Sequence, residues 1–182
     1  CAGGAVYSPA ITDFILMVQN TSYMFVTGPN VVKTVTHEKV TAEELGGAST
    51  HSVKSGVTHF SCENEIACIN SLKSLLTYLP QNCEEDPPQL DYNSNAEETR
   101  PELENIVPEN PNEPYDIREI VNTTINSGSF MEIHKDYAEN IVVGFARLAG
   151  KSVGIVANQP AYLAGVLDIN ASKKGARFVR FC

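Results

Sequence analysis

The sequence predicts a mixed α/β protein in two parts joined by an acidic, proline-rich connector, and three observations predict it. Ile66, Ile69, Leu72, Leu75, Leu76 and Leu79 recur at helical spacing. Ile141 to Arg147 and Ser152 to Ala157 are β-branched arms around Leu148-Ala149-Gly150-Lys151, the pattern of a hairpin. Between them, Pro80 to Pro114 holds seven of the ten prolines and few apolar residues, a composition that buries too little of itself to fold. The domain division expected is therefore 1–80, a connector over 81–115, and 116–182.

Taken in order, the chain opens on Ala2-Gly3-Gly4-Ala5, a turn that runs into a short helix of small residues. Phe14 to Gln19 and Tyr23 to Thr27 read as strands split by the polar turn Asn20-Thr21-Ser22. Gly28-Pro29 stops the second and starts a helix through Val35, with Pro at its first position. Thr41 and Glu44 have the spacing of a capping box, and Gly46-Gly47 ends the helix they open. Gly46 to Gly56, rich in small polar residues, reads as an ordered loop containing His51. The long amphipathic helix starts near Glu63 and is stopped by Pro80. Beyond the connector come a helix over Asp116 to Ile125, a strand over Phe130 to Ile133, the hairpin, and a turn at Asn158-Gln159-Pro160. A short strand over Val166 to Ile169 follows, then a basic helix capped by Asn170 or Ser172.

The net charge of −9 is local: residues 84–116 hold 11 acidic groups against Arg100 alone. The remainder is near neutral and has no basic stripe of the kind that binds nucleic acid. Phe14 to Val18, the longest apolar run, is far short of the ~20 residues that span a bilayer, so no membrane insertion is expected. The N-terminus has no basic region leading into an apolar one, so no secretory signal is expected in this stretch, and it lacks an initiator Met. The five cysteines, Cys1, Cys62, Cys68, Cys83 and Cys182, are odd in number and lack metal-ligand spacing, which favours free thiols over a disulfide framework or a zinc site.

The usual side-chain machinery of catalysis is missing. Ser8 does not sit in a nucleophile elbow, no phosphate-binding loop is present, and His37, His51, His59 and His134 are scattered among polar neighbours as surface or loop residues. His51 is the histidine to test first. Lys173, Arg177 and Arg180 share one helix face and read as a solvated stripe, with anion binding as the alternative. What remains is Gly3-Gly4, open to two readings: a tight turn that needs no Cβ, or backbone N–H groups at a helix start that hold an oxygen gaining negative charge.

Several segments together resemble one family. Cys1-Ala2-Gly3-Gly4-Ala5-Val6-Tyr7-Ser8-Pro9-Ala10, Phe25-Val26-Thr27-Gly28-Pro29, Glu44-Leu45-Gly46-Gly47-Ala48, Tyr137 to Arg147, Leu167-Asp168-Ile169-Asn170 and Gly175 to Cys182 are similar to the carboxyltransferase (β) subunits of biotin-dependent acyl-CoA carboxylases, closest to the propionyl-CoA carboxylase branch. The resemblance implies a crotonase-like ββα superhelix, here the end of an N-domain and the start of a C-domain. It implies carboxyl transfer from carboxybiotin to the α-carbon of propionyl-CoA, giving methylmalonyl-CoA, with the released biotin taking the α-proton. Gly3 and Gly4 match the oxyanion hole for the thioester, with Ala2 and Ala5 as flanking substrate contacts and no metal. Expected with it are biotin on a partner subunit, a biotin carboxylase and biotin carrier, a hexamer, and a bacterial cytoplasm or mitochondrial matrix. The resemblance begins inside the oxyanion motif and ends inside a helix, so an internal fragment without transferase activity of its own is expected. The alternatives are the carboxyltransferase subunit of a methylmalonyl-CoA decarboxylase and a non-catalytic crotonase-like assembly module.

Overall fold

The computed structural model describes residues 1–92 and 99–182, so six residues of the expected connector, 93–98, lie outside the described residues. The chain forms two compact units, Cys1–Leu72 with His134–Tyr137, and Lys73–Ile133 with Ala138–Cys182. Both contain helices and strands, in line with the α/β reading.

In the first unit, a 3-10 turn at Gly3–Val6 continues into helix α1 (Tyr7–Ala10). Strands β1 (Leu16–Val18) and β2 (Phe60–Cys62) pair in parallel, Leu16 opposite Phe60. Val6, Ile15, Met17, Met24 and Ala48 form the core, with Ala10 and Val57 packed against it. Helix α2 (Pro29–Val35) begins at the expected proline, and α3 (Ala42–Gly46) opens on the expected capping box. The Thr41 N–H and hydroxyl both donate to the Glu44 carboxylate, at 2.9 and 2.7 Å, and hold it below its ordinary pKa.

Three expectations fail in this unit. Tyr23 to Thr27 is not a strand but an extended segment with single bridges, Ala2 to Phe25 and Tyr23 to Gly47. Gly46 to Gly56 is not a loop: α4 (Ala48–Thr50) and a π-turn at His51–Ser55 fill it, closed by Gly56 at φ +64°. The small hydroxyl residues that suggested a loop bond back onto helical carbonyls instead, Thr50 Oγ1 to Glu43 O and Ser52 Oγ to Ser49 O. His59 and His134, read as surface or loop residues, do lie outside helices and strands, but each is only 5% exposed. Their rings lie 4.1 Å apart between centroids, and the Ile15 N–H donates to His59 Nδ1 at 3.0 Å.

Helix α5 (Glu65–Tyr78) forms as expected, yet of its apolar stripe only Leu75 is buried, while Ile66, Ile69, Leu72 and Leu76 are exposed.

The second unit is built on an antiparallel sheet of β3 (Met131–Ile133), β4 (Ile141–Leu148) and β5 (Lys151–Asn158), in that order. The hairpin turns through Ala149 and Gly150 at φ +49° and +79°, the two left-handed residues that match the twist of paired strands. β4 is buried along seven of its eight residues. Helix α6 (Ile117–Thr124) sets Val121 against Ala146, with Ile125 beside them. Helix α7 (Ile169–Phe181) sets Phe178 against Phe145, centroids 5.2 Å apart. The expected strand at Val166 to Ile169 is absent, because Leu163, Ala164 and Gly165 are all left-handed and coil the chain into a 3-10 turn. Asp168, not Asn170 or Ser172, caps α7: its backbone is extended, and Oδ1 accepts the Ala171 N–H at 2.7 Å. Lys173, Arg177 and Arg180 are exposed as a stripe, but Lys174 between them is 2% exposed and donates to Ala138 O at 3.4 Å.

The start of the proline-rich segment is tied into this unit. Arg147, 4% exposed, donates to the Pro88, Gly150 and Thr77 carbonyls and stacks its guanidinium over the Tyr78 ring.

Candidate active site

The opening turn is held from below by backbone bonds. The Cys1 nitrogen donates to Tyr23 O at 2.8 Å, the Phe25 N–H to Cys1 O at 3.3 Å and the Gly3 N–H to Val26 O at 2.9 Å, so Cys1 to Gly3 runs parallel to Tyr23 to Val26 around the single bridge of Ala2 and Phe25. Gly3 then takes φ +59°. A Cβ there would be 4.0 Å from the nearest outside atom, so the glycine is required by its backbone angle rather than by space.

Gly4 follows in the 3-10 turn and is exposed. Its N–H lies in the first turn, where no intrahelical acceptor exists, and a Cβ on Gly4 would find nothing within 4 Å. The two glycines therefore differ. The Gly3 amide donates to Val26 O, while Gly4 is the exposed glycine of the pair. Spacing alone could not separate them, since the difference depends on a carbonyl 23 residues away. Ala2 is the extended residue entering the turn, Ala5 is exposed within it, and Val6 anchors it in the core.

His51 is a brace for this turn. Its Nε2 lies 2.6 Å from Met24 O and its Nδ1 2.7 Å from Ser55 Oγ. A carbonyl only accepts, so Nε2 carries the proton and Nδ1 accepts from the serine. The Met24 N–H donates to Gly46 O at 2.8 Å, and a Cβ on Gly46 would run into the Met24 carbonyl. The segment that holds Gly3 is thus itself fixed by His51 on one carbonyl and by the bare Cα of Gly46 beneath it. Among the described residues no cluster of three or more His, Cys, Asp or Glu is placed to hold a metal, and no helix is long and apolar enough to cross a membrane.

An exposed glycine in the first turn of a braced 3-10 segment is the arrangement that a site holding an oxygen through backbone groups would use. The chain belongs to the carboxyl transferase domain family, which matches residues 1–182. It is 58% identical over 182 residues to the propionyl-CoA carboxylase carboxyltransferase subunit of Haloferax mediterranei, covering 35% of that protein. It is 53% identical over 182 residues to the methylmalonyl-CoA decarboxylase subunit alpha of Veillonella parvula, covering 36%. The solved transcarboxylase 12S structure, a hexamer with hydrolyzed methylmalonyl-coenzyme A bound, superposes on 100% of this chain and 36% of its own, with TM-score 0.95 and 48% identity. The chain thus spans about a third of the length of the curated relatives it matches.

Proposed function

We propose that this chain supplies one oxyanion-holding turn of a carboxyltransferase that moves a carboxyl group from carboxybiotin to the α-carbon of propionyl-CoA, giving methylmalonyl-CoA. The observation that supports it is a chain matching such subunits along its whole length and presenting, at Gly4, an exposed backbone donor on a rigid turn. As the α-proton leaves, negative charge builds on the thioester oxygen, and the Gly4 N–H hydrogen-bonds that oxygen more strongly than it bonds the neutral carbonyl. Gly3 sets the angle of the turn, and Ala2 and Ala5 flank the substrate. Biotin, held by a partner subunit, supplies the activated carboxyl group, and no residue of this chain is assigned to hold it. Residues 1–80 belong in this scheme to one carboxyltransferase domain and 116–182 to the next. The assembly is a hexamer served by a biotin carboxylase and biotin carrier, in a bacterial cytoplasm or a mitochondrial matrix.

The test uses the full-length protein that contains this chain. Gly4→Pro removes the N–H, and Gly4→Ala keeps it in open space. Loss of one oxyanion donor lowers kcat by about 10²–10³, so the Pro variant is expected to fall by that factor while the Ala variant stays near wild type. Equal activity in the two variants overturns the role of Gly4. The second reading, a methylmalonyl-CoA decarboxylase, is favoured by the 53% identity to the Veillonella subunit. Measuring both directions of transfer with the biotinylated carrier separates the two, and no transfer in either direction leaves the assembly-module reading.

A further inference from the structure

Met24 stands between the opening turn and His51, and its two sides are held differently. Along the extended stretch from Tyr23 to Val26, successive backbone groups point to opposite edges. Tyr23 O, the Phe25 N–H and Val26 O bond to Cys1 and Gly3 on one edge. On the other, the Met24 N–H donates to Gly46 O at 2.8 Å, and Met24 O lies 2.6 Å from His51 Nε2. A neighbouring strand would supply both of these bonds from its backbone, but here the donor is a side chain. The contact is part-buried, so loss of the imidazole leaves the Met24 carbonyl short of a hydrogen bond. His51 and Ser55 are the two ends of one π-turn, with Ser55 Oγ 2.7 Å from Nδ1. One ring nitrogen therefore donates to a carbonyl while the other accepts from a hydroxyl. With both nitrogens occupied, the ring is arranged as a brace rather than as a general base, which needs a nitrogen within reach of a substrate proton.

We infer that His51 is a positioning residue for the transfer step, acting through Met24 O on the Gly3-Gly4 turn, with Ser55 fixing its tautomer. The inference rests on the carboxyltransferase reading above and assigns no contact between His51 and substrate. A backbone donor stabilises the developing charge only where the oxygen will stand. Gly3, bonded to Val26 O, sets where Gly4 stands, and a misplacement of about 1 Å from a change far from the chemistry costs up to about 10²-fold in rate. Protonation of the ring leaves Nε2 donating to Met24 O, and a serine hydroxyl turns from donor to acceptor to receive the second N–H. The brace therefore works with His51 neutral or charged, which a proton-transfer group does not.

The experiment uses the full-length protein that contains this chain and measures kcat and KM for propionyl-CoA with the carboxylated biotin carrier. His51→Leu removes the donor and is expected to lower kcat by about 10- to 10²-fold with KM nearly unchanged, the pattern of an interaction made only in the transition state. His51→Gln keeps an N–H for Met24 O and is expected to restore most of kcat with the wild-type shape of the pH profile. Ser55→Ala keeps the ring and frees its tautomer, so a smaller loss of kcat is expected, and this variant carries the test if His51→Leu does not fold. His37→Asn, at an exposed histidine outside the network, is expected to match wild type. Hydrogen exchange reads the brace without turnover: His51→Leu is expected to speed exchange at the Gly3 and Phe25 amides and not at Gln19, which bonds Cys62 O. Three results overturn the assignment: wild-type kcat in His51→Leu or its substitute Ser55→Ala, a Gln variant that is as impaired as Leu or loses a limb of the pH profile, and unchanged exchange at Gly3 and Phe25. Gly4→Pro, measured alongside, keeps the two readings apart. If it loses transfer while His51→Leu does not, only the positioning role falls. If it transfers as wild type does, the oxyanion role of Gly4 falls, and exchange still decides whether His51 holds the turn.

Discussion

The two units solve the same problem, holding an irregular loop rigid, by opposite means. The first fixes its Gly3-Gly4 turn mainly with main-chain bonds and bare Cα atoms, Gly3 N–H to Val26 O, Met24 N–H to Gly46 O and the missing Cβ of Gly46, with the His51 side chain bracing Met24 O. The second fixes the bend after β5 with buried side chains. Gln159, fully buried, donates to Asp116 Oδ1 at 2.6 Å and accepts the Ile117 N–H at 3.1 Å. Asn140, 3% exposed, donates to Val166 O at 2.7 Å, and Arg118 meets Glu132 through two bonds of 2.6 and 2.8 Å. A backbone-held loop is sensitive to added atoms, and a side-chain-held loop to removed ones.

The largest effect expected from this contrast is at Gly46. Its replacement by Ala forces a methyl into the Met24 carbonyl and Phe25 ring, and overpacking against backbone costs about 3 kcal/mol. Gly4→Ala, with open space around it, is expected to stay within about 0.5 kcal/mol of wild type. Urea unfolding of both variants checks this, and equal losses would break the backbone side of the comparison. Next is Gln159→Leu, which leaves the part-buried Ile117 N–H without its acceptor, at a cost of about 1 kcal/mol. A Gln159→Leu variant as stable as wild type would show that the side-chain network holds nothing.

A pH dependence sharpens the second side. Burial alone would raise the Asp116 carboxyl, but the Gln159 amide and the Arg118 N–H and guanidinium outweigh it and hold the pKa below its ordinary value. Its contribution to stability is therefore fully present above the unfolded-state pKa of about 4 and is lost as pH falls through the lower folded value. Urea midpoints measured across that window should fall less steeply for Asp116→Asn than for wild type, and parallel curves would remove Asp116 from the network. The smallest effect belongs to the hairpin. Ala149 is left-handed at φ +49°, a conformation that costs an ordinary residue about 1 kcal/mol, so Ala149→Gly is expected to raise the melting temperature slightly. A fall instead would mean that the turn is limited by something other than backbone angle.

The fold was legible wherever its causes lie within four or five residues. The capping box at Thr41 and Glu44, the proline start of α2, α5, α6 and the hairpin all formed as spacing predicts, because caps and turns act between near neighbours. Capping also explains a miss: Asp168 stands two residues before Asn170 and offers the same chemistry, and only the bend at Leu163 to Gly165 decided which residue enters α7 extended. The loop reading of Gly46 to Gly56 failed because small hydroxyl residues serve turns and helices alike, and burial of Ala48 chose the helix.

At the candidate site, the sequence by itself narrowed the opening turn to backbone chemistry or none, since Ala2 to Ala5 offer no side chain able to react. It also determined the family, through motifs in order from Cys1 to Cys182. Only the tertiary structure decided that Gly3 and Gly4 are not equivalent, that His51 braces Met24, and that His59, His134, Arg147 and Lys174 are buried. The physical reason is the same in each case. Whether an N–H is spent or available, and whether a charged or polar side chain can leave water, depends on acceptors brought from distant parts of the chain, and no local pattern encodes which carbonyl will be there.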